Sequence, residues 1–306
     1  MDKTTSMISY TNGNYKVWLD LNDGTMVRYS SEDELKPQFP DSMDIKITNC
    51  CDGINGHVCS WCHEKSTPKD QHGDIMSESF IDKLHPYTQL ALGGGNVLLH
   101  PDFEDFLFKC QDLRLVPSIT VHQEHFIQHA WGIRTLCKHK LIYGLGVSLT
   151  EPTEKFLNYI SNFPTAVIHV IAGVNTVEQL RQMANRHLKI LILGYKTFGR
   201  GIEYGSKHQN SIAANIKELN QALPQMIEEK WFDNISFDNL ALEQLDIKSL
   251  LSPEQWERFY MGKDGTSTMY VDMVNKEFAK SSTSSKRYPL LDNIEDMLEV
   301  IHREEG

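Results

Sequence analysis

Two periods of apolar residues run along this chain, and the switches between them divide it into three segments. In residues 1–42 the character changes from one residue to the next. Residues 15–21 and 25–29 read as half-buried strands flanking Asn22-Asp23-Gly24, whose Asp-Gly pair supplies the positive φ of a hairpin turn. Thr11-Asn12-Gly13 marks an earlier turn, and a polar, proline-containing connector fills 30–42. This segment predicts a β meander.

From residue 43 the pattern changes to short apolar runs separated by helical spacing. Residues 43–48, 89–93, 117–121, 141–149, 166–171 and 189–193 read as buried parallel strands. Phe103, Phe106, Leu107 and Cys110 share one helix face, as do Phe126, Ala130, Ile133 and Cys137. Thr176 and Gln179 form a capping box ahead of Val177, Leu180 and Met183. Six strand–helix units predict an α/β fold, a partial (β/α)6 parallel barrel over residues 43–205. Residues 206–306 depart from the alternation and predict an extension that completes the barrel side. In it, Ile212, Ile216, Leu219, Leu223 and Met226 mark a long helix, 234–237 a seventh strand, 268–273 and 276–280 a hairpin, and Ile294, Met297, Leu298 and Ile301 a closing helix. The polar run Ser281-Ser282-Thr283-Ser284-Ser285 is expected to be mobile. No internal repeat is evident.

Composition narrows the partners. A net charge of −11 over 306 residues argues against a nucleic-acid groove, which needs clustered Lys and Arg. No apolar run approaches a membrane span, and Met1-Asp2-Lys3-Thr4-Thr5-Ser6 lacks the apolar stretch of an export signal. The expectation is a cytoplasmic protein in a reducing compartment. Six cysteines, four of them within thirteen residues, read as metal ligands more readily than as disulfides.

The chemistry concentrates directly after the first parallel strand, where Cys51, Cys59 and Cys62 stand in the spacing C-x7-C-x2-C. Three thiolates on one loop can hold three irons of a four-iron cluster and leave the fourth open to a ligand. Cys50 and Cys51 compete for the first position. Cys59-Ser60-Trp61-Cys62-His63 also fits haem attachment, which requires export. A zinc knob completed by His57 or His63 is the remaining rival, and it leaves the glycine-rich turn one strand later unexplained.

These residues together resemble the radical S-adenosylmethionine (radical SAM) superfamily. The loop resembles the family's three-cysteine motif, whose usual first gap is three residues, and Trp61 matches the aromatic before the last cysteine. Gly93-Gly94-Gly95-Asn96-Val97, followed by Pro101-Asp102-Phe103, resembles the family's Gly-Gly-Glu-Pro stretch, with Asn96 and Val97 in place of Glu and Pro. Ser148 resembles the ribose- or carboxylate-binding serine of the fourth strand. Val170 and Gly173 resemble the adenine-side stretch of the fifth, and Leu193 and Gly194 that of the sixth. The resemblance covers roughly residues 43–201.

It implies a barrel of radical SAM type and a [4Fe-4S] cluster on Cys51, Cys59 and Cys62, because the family places a small polar residue, here Asp52, after the first ligand; Cys50 then packs beneath the loop. It implies S-adenosylmethionine at the open iron, held by Trp61, Gly93, Gly94, Gly95, Asn96, Ser148, Val170, Gly173, Leu193 and Gly194. The implied activity is reductive cleavage of that cofactor to a 5′-deoxyadenosyl radical, which abstracts a hydrogen atom from the substrate. An electron donor such as flavodoxin or ferredoxin, and oxygen sensitivity, follow. No cysteine comes after Cys137, so a single cluster is expected.

Substrate is expected at the later strand ends, with His122 and Gln123 after the third and Tyr195, Lys196 and Arg200 after the sixth. A Lys/Arg pair there suits an anionic group. A small molecule, nucleotide or short peptide is the favoured substrate. The rivals are a protein- or peptide-modifying maturase and, from another class, a non-catalytic zinc-binding structural protein. His125 and His129 share a spacing with His122 but read as satisfied or solvated, Cys110 and Cys137 read as core, and Asp272 with Lys280 are expected at the barrel mouth.

Overall fold

The structure, a computed structural model, describes residues 6–22 and 24–304, without the side chains of 78 and 79. Strands β1 (Met7–Asn12), β2 (Tyr15–Asp20) and β3 (Met26–Ser30) pair antiparallel in chain order. The turn after β1 needs glycine: Gly13 has φ +58°, and a Cβ there would lie 1.7 Å from the Lys36 carbonyl oxygen. Asp23, part of the second turn signal, lies outside the described residues.

The remaining strands form one sheet. In chain order they are β4 (Ser42–Thr48), β5 (Gln89–Gly94), β6 (Val116–His122), β7 (Gly144–Ser148), β8 (Ala166–Ile171), β9 (Lys189–Leu193), β10 (Asn234–Phe237), β11 (Thr268–Asp272), β12 (Glu277–Ala279) and β13 (Tyr288–Pro289). Their order across the sheet is β10-β9-β8-β7-β6-β5-β4-β11-β12-β13. Every pair from β10 to β11 is parallel, and only the terminal hairpin pairs are antiparallel. The expected six-stranded barrel is therefore a ten-stranded open sheet in which β10 and β11 do not pair. Side chains cross the gap between them instead. Asn239 Nδ2 donates to Asp264 Oδ1 at 2.6 Å, and Lys196 Nζ to Ser282 Oγ at 3.0 Å.

Helices α1 (Glu78–Ile81), α2 (Phe103–Asp112), α3 (Gln123–Lys138), α4 (Glu154–Ile160), α5 (Val177–Met183) and α6 (Arg200–Glu228) connect the parallel strands. The capping box of Thr176 and Gln179 forms as expected at the start of α5. Three short elements follow in the extension: α7 (Asn239–Gln244), α8 (Pro253–Phe259) and α9 (Ile294–Arg303). Among the described residues no helix is long and apolar enough to cross a membrane. The run 281–285 forms a hydrogen-bonded turn in which Ser281 N donates to Ser284 Oγ at 3.2 Å. The strand expected at 141–149 begins later, because Leu141 N is taken by Leu136 O at the end of α3.

Each parallel strand is two-faced. One phase packs under the helices: Met43, Ile45 and Ile47, Leu90 and Leu92, Ile119 and Val121, Leu145 and Val147, Ile168 and Val170, Ile190 and Ile192 are all 2% exposed or less. The other phase faces a common cavity; it is small or polar on β4 to β7, with Asp44 and Lys46, Ala91 and Gly93, Ser118 and Thr120, and Gly146 and Ser148, while β8 and β9 add His169 among Val167, Ile171, Leu191 and Leu193.

The meander docks through one carboxylate. Asp41, fully buried just before β4, accepts from Arg28 Nε at 2.6 Å, Tyr15 Oη at 2.8 Å, Asn12 Nδ2 at 2.9 Å and Tyr10 Oη at 3.1 Å. Replacing it by Ala strands a buried guanidinium, so Asp41→Ala is expected to cost about 3–5 kcal/mol in urea unfolding. A loss below about 1 kcal/mol would contradict this role for Asp41.

Candidate functional site

The cysteine loop leaves the carboxyl end of β4 and is built in layers. Cys50 lies beneath, its Sγ against the Asp70 carbonyl at 2.8 Å and its own carbonyl accepting from Asn96 N at 2.7 Å. Cys51 is the first thiol to reach the cavity. The long gap to Cys59 holds a self-contained turn, in which Ile54 and His57 exchange two backbone hydrogen bonds at 2.9 Å. Gly53 permits that turn: at φ +64°, a Cβ would sit 2.4 Å from the His57 oxygen. Cys51, Cys59 and Cys62 all line one cavity of about 850 Å³.

Arg200 braces this loop from the start of α6. Its Nε donates to Cys59 O at 2.9 Å, its Nη2 to Ser66 O at 3.0 Å, and its backbone N to Cys62 O at 3.0 Å. It was expected at the substrate; its guanidinium is committed to loop carbonyls instead.

Glycines seat the loop against the end of β5. A Cβ on Gly95 would lie 2.1 Å from Cys50 O, and one on Gly94 would lie 2.2 Å from Thr48 O. A Cβ on Gly93 would meet nothing within 4 Å, so this position opens onto the cavity. Asn96 does not line the cavity. It is 3% exposed, donates through Nδ2 to Asp52 Oδ1 at 3.1 Å, and caps the following turn by accepting from Leu98 N at 3.2 Å.

The other expected residues separate by phase and by partner. Trp61, Ser148, Leu193, Gly194, Tyr195, Lys196 and His122 line the cavity. Val170 points under the helices, one residue out of phase with His169, which does line it. Gly173 packs on α6, where a Cβ would lie 2.7 Å from Ile212 Cγ2. Gln123 is 1% exposed, and its Oε1 accepts from Thr150 N, Thr150 Oγ1 and Glu151 N, which ties the turn after β7 to α3. Tyr195 reaches the cavity wall, but its hydroxyl donates to Gly201 O. His125 donates to Gly53 O at 3.0 Å and His129 is exposed. Asp272 is not at the mouth; with Glu64 it holds Lys46.

The electrostatics divide the cavity. Burial pushes the Cys59 thiol up to about 11, with Cys62 and Cys51 adding to the rise and Arg200 opposing it. Burial likewise raises Cys51. Three partly desolvated thiols that repel one another as anions fit a polycationic centre, whose binding displaces their protons. Among the described residues no three His, Cys, Asp or Glu side chains converge to hold a single metal ion. Thiolates on three separate irons have no need to converge so tightly.

Lys46 lies next to the loop, with Glu64 Oε2 at 2.9 Å and Asp272 Oδ2 at 3.2 Å. Burial works against its charge, but the two carboxylates carry its pKa above the ordinary value. Burial pushes His122 down to about 4, helped by His125, and pushes His169 down to about 4, helped by Lys196. Both rings are neutral at pH 7.

Asp44, Lys46, Glu64, Thr120 and His169 are cavity residues that the sequence reading missed. For Asp44, Lys46, Thr120 and His169 the signal was the polar phase of otherwise apolar strands, whereas Glu64 stands in the cysteine loop. One consequence of the bracing is testable. Arg200→Lys keeps a charge but replaces a fork of donors with a single point. Amides of residues 59–66 are then expected to exchange with deuterium about tenfold faster. Unchanged exchange would contradict the bracing.

No family model matches the chain, and no curated protein matches it in sequence. Crystal structures of SuiB from Streptococcus suis share its fold. SuiB bound to S-adenosylmethionine aligns with a TM-score of 0.63 at 12% identity, over 97% of this chain and 87% of SuiB. SuiB bound to the precursor peptide SuiA gives 0.62 at 12% identity over the same shares, and a third SuiB structure gives 0.57 at 11%. The chain thus has the mixed α/β fold of SuiB, with its large parallel sheet.

Proposed function

We propose that the chain is a radical SAM enzyme that acts on a peptide. One observation carries the reading: three cysteines on one loop and a glycine turn open to cavity meet at the carboxyl ends of parallel strands. On this reading Cys51, Cys59 and Cys62 hold a single [4Fe-4S] cluster, while Cys110 and Cys137 pack in or against the helical core. The sheet curls as a partial barrel around the cavity, in keeping with the lining contributed by every strand from β4 to β10. The cluster, when bound, supplies the electron that cleaves S-adenosylmethionine to a 5′-deoxyadenosyl radical.

The residues of the chain position and exclude. Gly93 leaves room for a ligand backbone-close against β5. At the end of β9, the Leu193 carbonyl is taken by Ala172 N and the Gly194 N–H by Asp238 Oδ1, so the Gly194 carbonyl is the group left to accept from an adenine amino group. Ser148 supplies a hydroxyl from β7. His122 accepts from Glu124 N at Nδ1, which places the proton of the neutral ring on Nε2 and makes it a donor. Lys196, fixed by Ser282, presents a cation on the far wall.

A peptide substrate is supported by the fold shared with SuiB in its complex with a precursor peptide. A small molecule is the second reading, favoured by the turn 281–283 over the cavity beside Lys196. An electron donor such as a flavodoxin or ferredoxin, and a reducing compartment such as the cytoplasm, complete the proposal; all six thiols are free.

Anaerobic reconstitution is expected to give about four irons and four sulfides per chain. Cys51→Ala, Cys59→Ala and Cys62→Ala are expected to lose the cluster and Cys50→Ala to retain it. One zinc without sulfide would sink the proposal, and loss in Cys50→Ala but not Cys51→Ala would move the ligand by one residue. After dithionite reduction, chromatography is expected to find 5′-deoxyadenosine and methionine. Methylthioadenosine in their place would overturn the mechanism and leave the cluster standing.

A further inference from the structure

The inner faces of β5, β6 and β7 carry small side chains in one row. Ala91 pairs with Ser118 and Ser118 with Gly144, so the three stand at one height on adjacent strands. All three line the cavity. Ala91 is exposed although β5 is hydrogen-bonded on both flanks, whereas Leu90 and Leu92, on the other face of the strand, are 1% exposed or less. The cavity continues past this row to Gln89 and Val116, the first residues of β5 and β6.

A closed parallel barrel fills its interior with layers of bulky branched side chains. Here such side chains face inward from β8 and β9 instead. Val167, opposite Gly146, and Leu191, opposite His169, line the cavity and are only half-buried. Ile171 and Leu193 stand higher, at the strand ends given above to the cofactor. Val167 and Leu191 therefore face water across a trench floored by Ala91, Ser118 and Gly144. Apolar surface that faces water inside a cavity gains when a ligand covers it. The floor and this wall carry no charge. Asp44 stands at the edge, beside Ala91, and Lys196 acts on it through space. With Asp238 and Asp264 also lining the cavity, an anion is disfavoured there.

We infer that this trench is a specificity pocket that reads the size of an uncharged substrate side chain, the size of leucine or phenylalanine. Such a side chain enters past Gly93, where a Cβ would meet nothing and the way is open. Gly93 stands two residues above Ala91, about 7 Å along β5, which one large side chain can reach. The apolar atoms of that side chain cover Val167 and Leu191, and the gain grows with the area covered. Ala91, Ser118 and Gly144 set the depth, because a larger residue at any of them would take up the room. The inference rests on the reading of this cavity as the substrate chamber of an enzyme that acts on a peptide.

The test titrates the full-length protein, anaerobically, with the Nα-acetyl amides of alanine, leucine, phenylalanine, lysine and glutamate, and reads probe binding by NMR. Wild type is expected to bind alanine, leucine and phenylalanine probes with rising affinity, the last at least about tenfold more tightly than the first. Ala91→Leu and Ala91→Phe fill the trench and are expected to lose that dependence on size. Ala91→Ser leaves the room and is expected to keep it. All three are expected to keep wild-type binding of S-adenosylmethionine in equilibrium dialysis. Equal binding of the three uncharged probes by wild type overturns the inference, as does tighter binding of the lysine or glutamate probe, or no binding of the phenylalanine probe at millimolar concentration. So does a size dependence that survives in both filled variants. A melting midpoint lowered by more than about 3 °C in Ala91→Leu would mean that the trench has no room, and would overturn it too. Loss of S-adenosylmethionine binding in both filled variants would assign the trench to the cofactor and overturn it as well. A size dependence abolished by filling, in a protein that forms no cluster, would preserve the pocket and remove the proposed function. A cluster and 5′-deoxyadenosine without size dependence would remove the pocket alone.

Discussion

The approach of the Gly94-Gly95 backbone to the cysteine loop sets the geometry of everything around it. Thr48 O accepts from Gly95 N and Cys50 O from Asn96 N, so the ends of β4 and β5 are stitched together beyond the sheet. No Cβ fits at Gly94 or Gly95. Because these contacts are backbone to backbone, the thiols and the open face of Gly93 keep a fixed relation. Asn96 and His125 extend the stitching to Asp52 and Gly53, and Arg200 closes it from the opposite side of the loop. The loop is thus held from β5, α3 and α6 at once, leaving the three thiol groups to face inward.

The cavity itself is a product of strand periodicity. Small residues on the inner phase, such as Ala91, Gly93, Ser118, Gly144 and Gly146, create space that larger side chains would fill. Gly146 also lets the His169 ring lie close, since a Cβ would be 2.4 Å from its Cε1. Into that space project a few titratable groups whose charges are set by their surroundings. Lys46 is held charged by two carboxylates, and His122 and His169 are held neutral by burial.

Much of this was legible in the sequence. Residues 166–171, 189–193 and 234–237 form the strands expected of them, because apolar runs bounded by turns leave little choice. The loop cysteines stood out because they cluster in sequence, and Cys51, Cys59 and Cys62 do line one cavity. The first strand of the meander was not read, and neither was the open gap between β10 and β11, since strand pairing is non-local. Scanning for apolar runs also obscured the inner phase, so Val170 stood in for its neighbour His169. Arg200, Gln123 and Asn96 were misread for one shared reason. Each is a polar residue beside the site whose polar atoms are spent within the fold, Arg200 and Gln123 on backbone groups distant in sequence and Asn96 on the Asp52 side chain, and spacing alone does not reveal that.

The central claim is that Cys51, Cys59 and Cys62 hold a cluster whose remaining iron faces the same cavity as Gly93. Low-temperature electron paramagnetic resonance of the dithionite-reduced protein, recorded with and without S-adenosylmethionine, tests it most directly. The account predicts a cluster signal whose g-values shift when the cofactor is added, because a ligand enters the coordination sphere of the open iron. A cluster signal unchanged by saturating cofactor, or no signal from a protein that carries iron and sulfide, would contradict it.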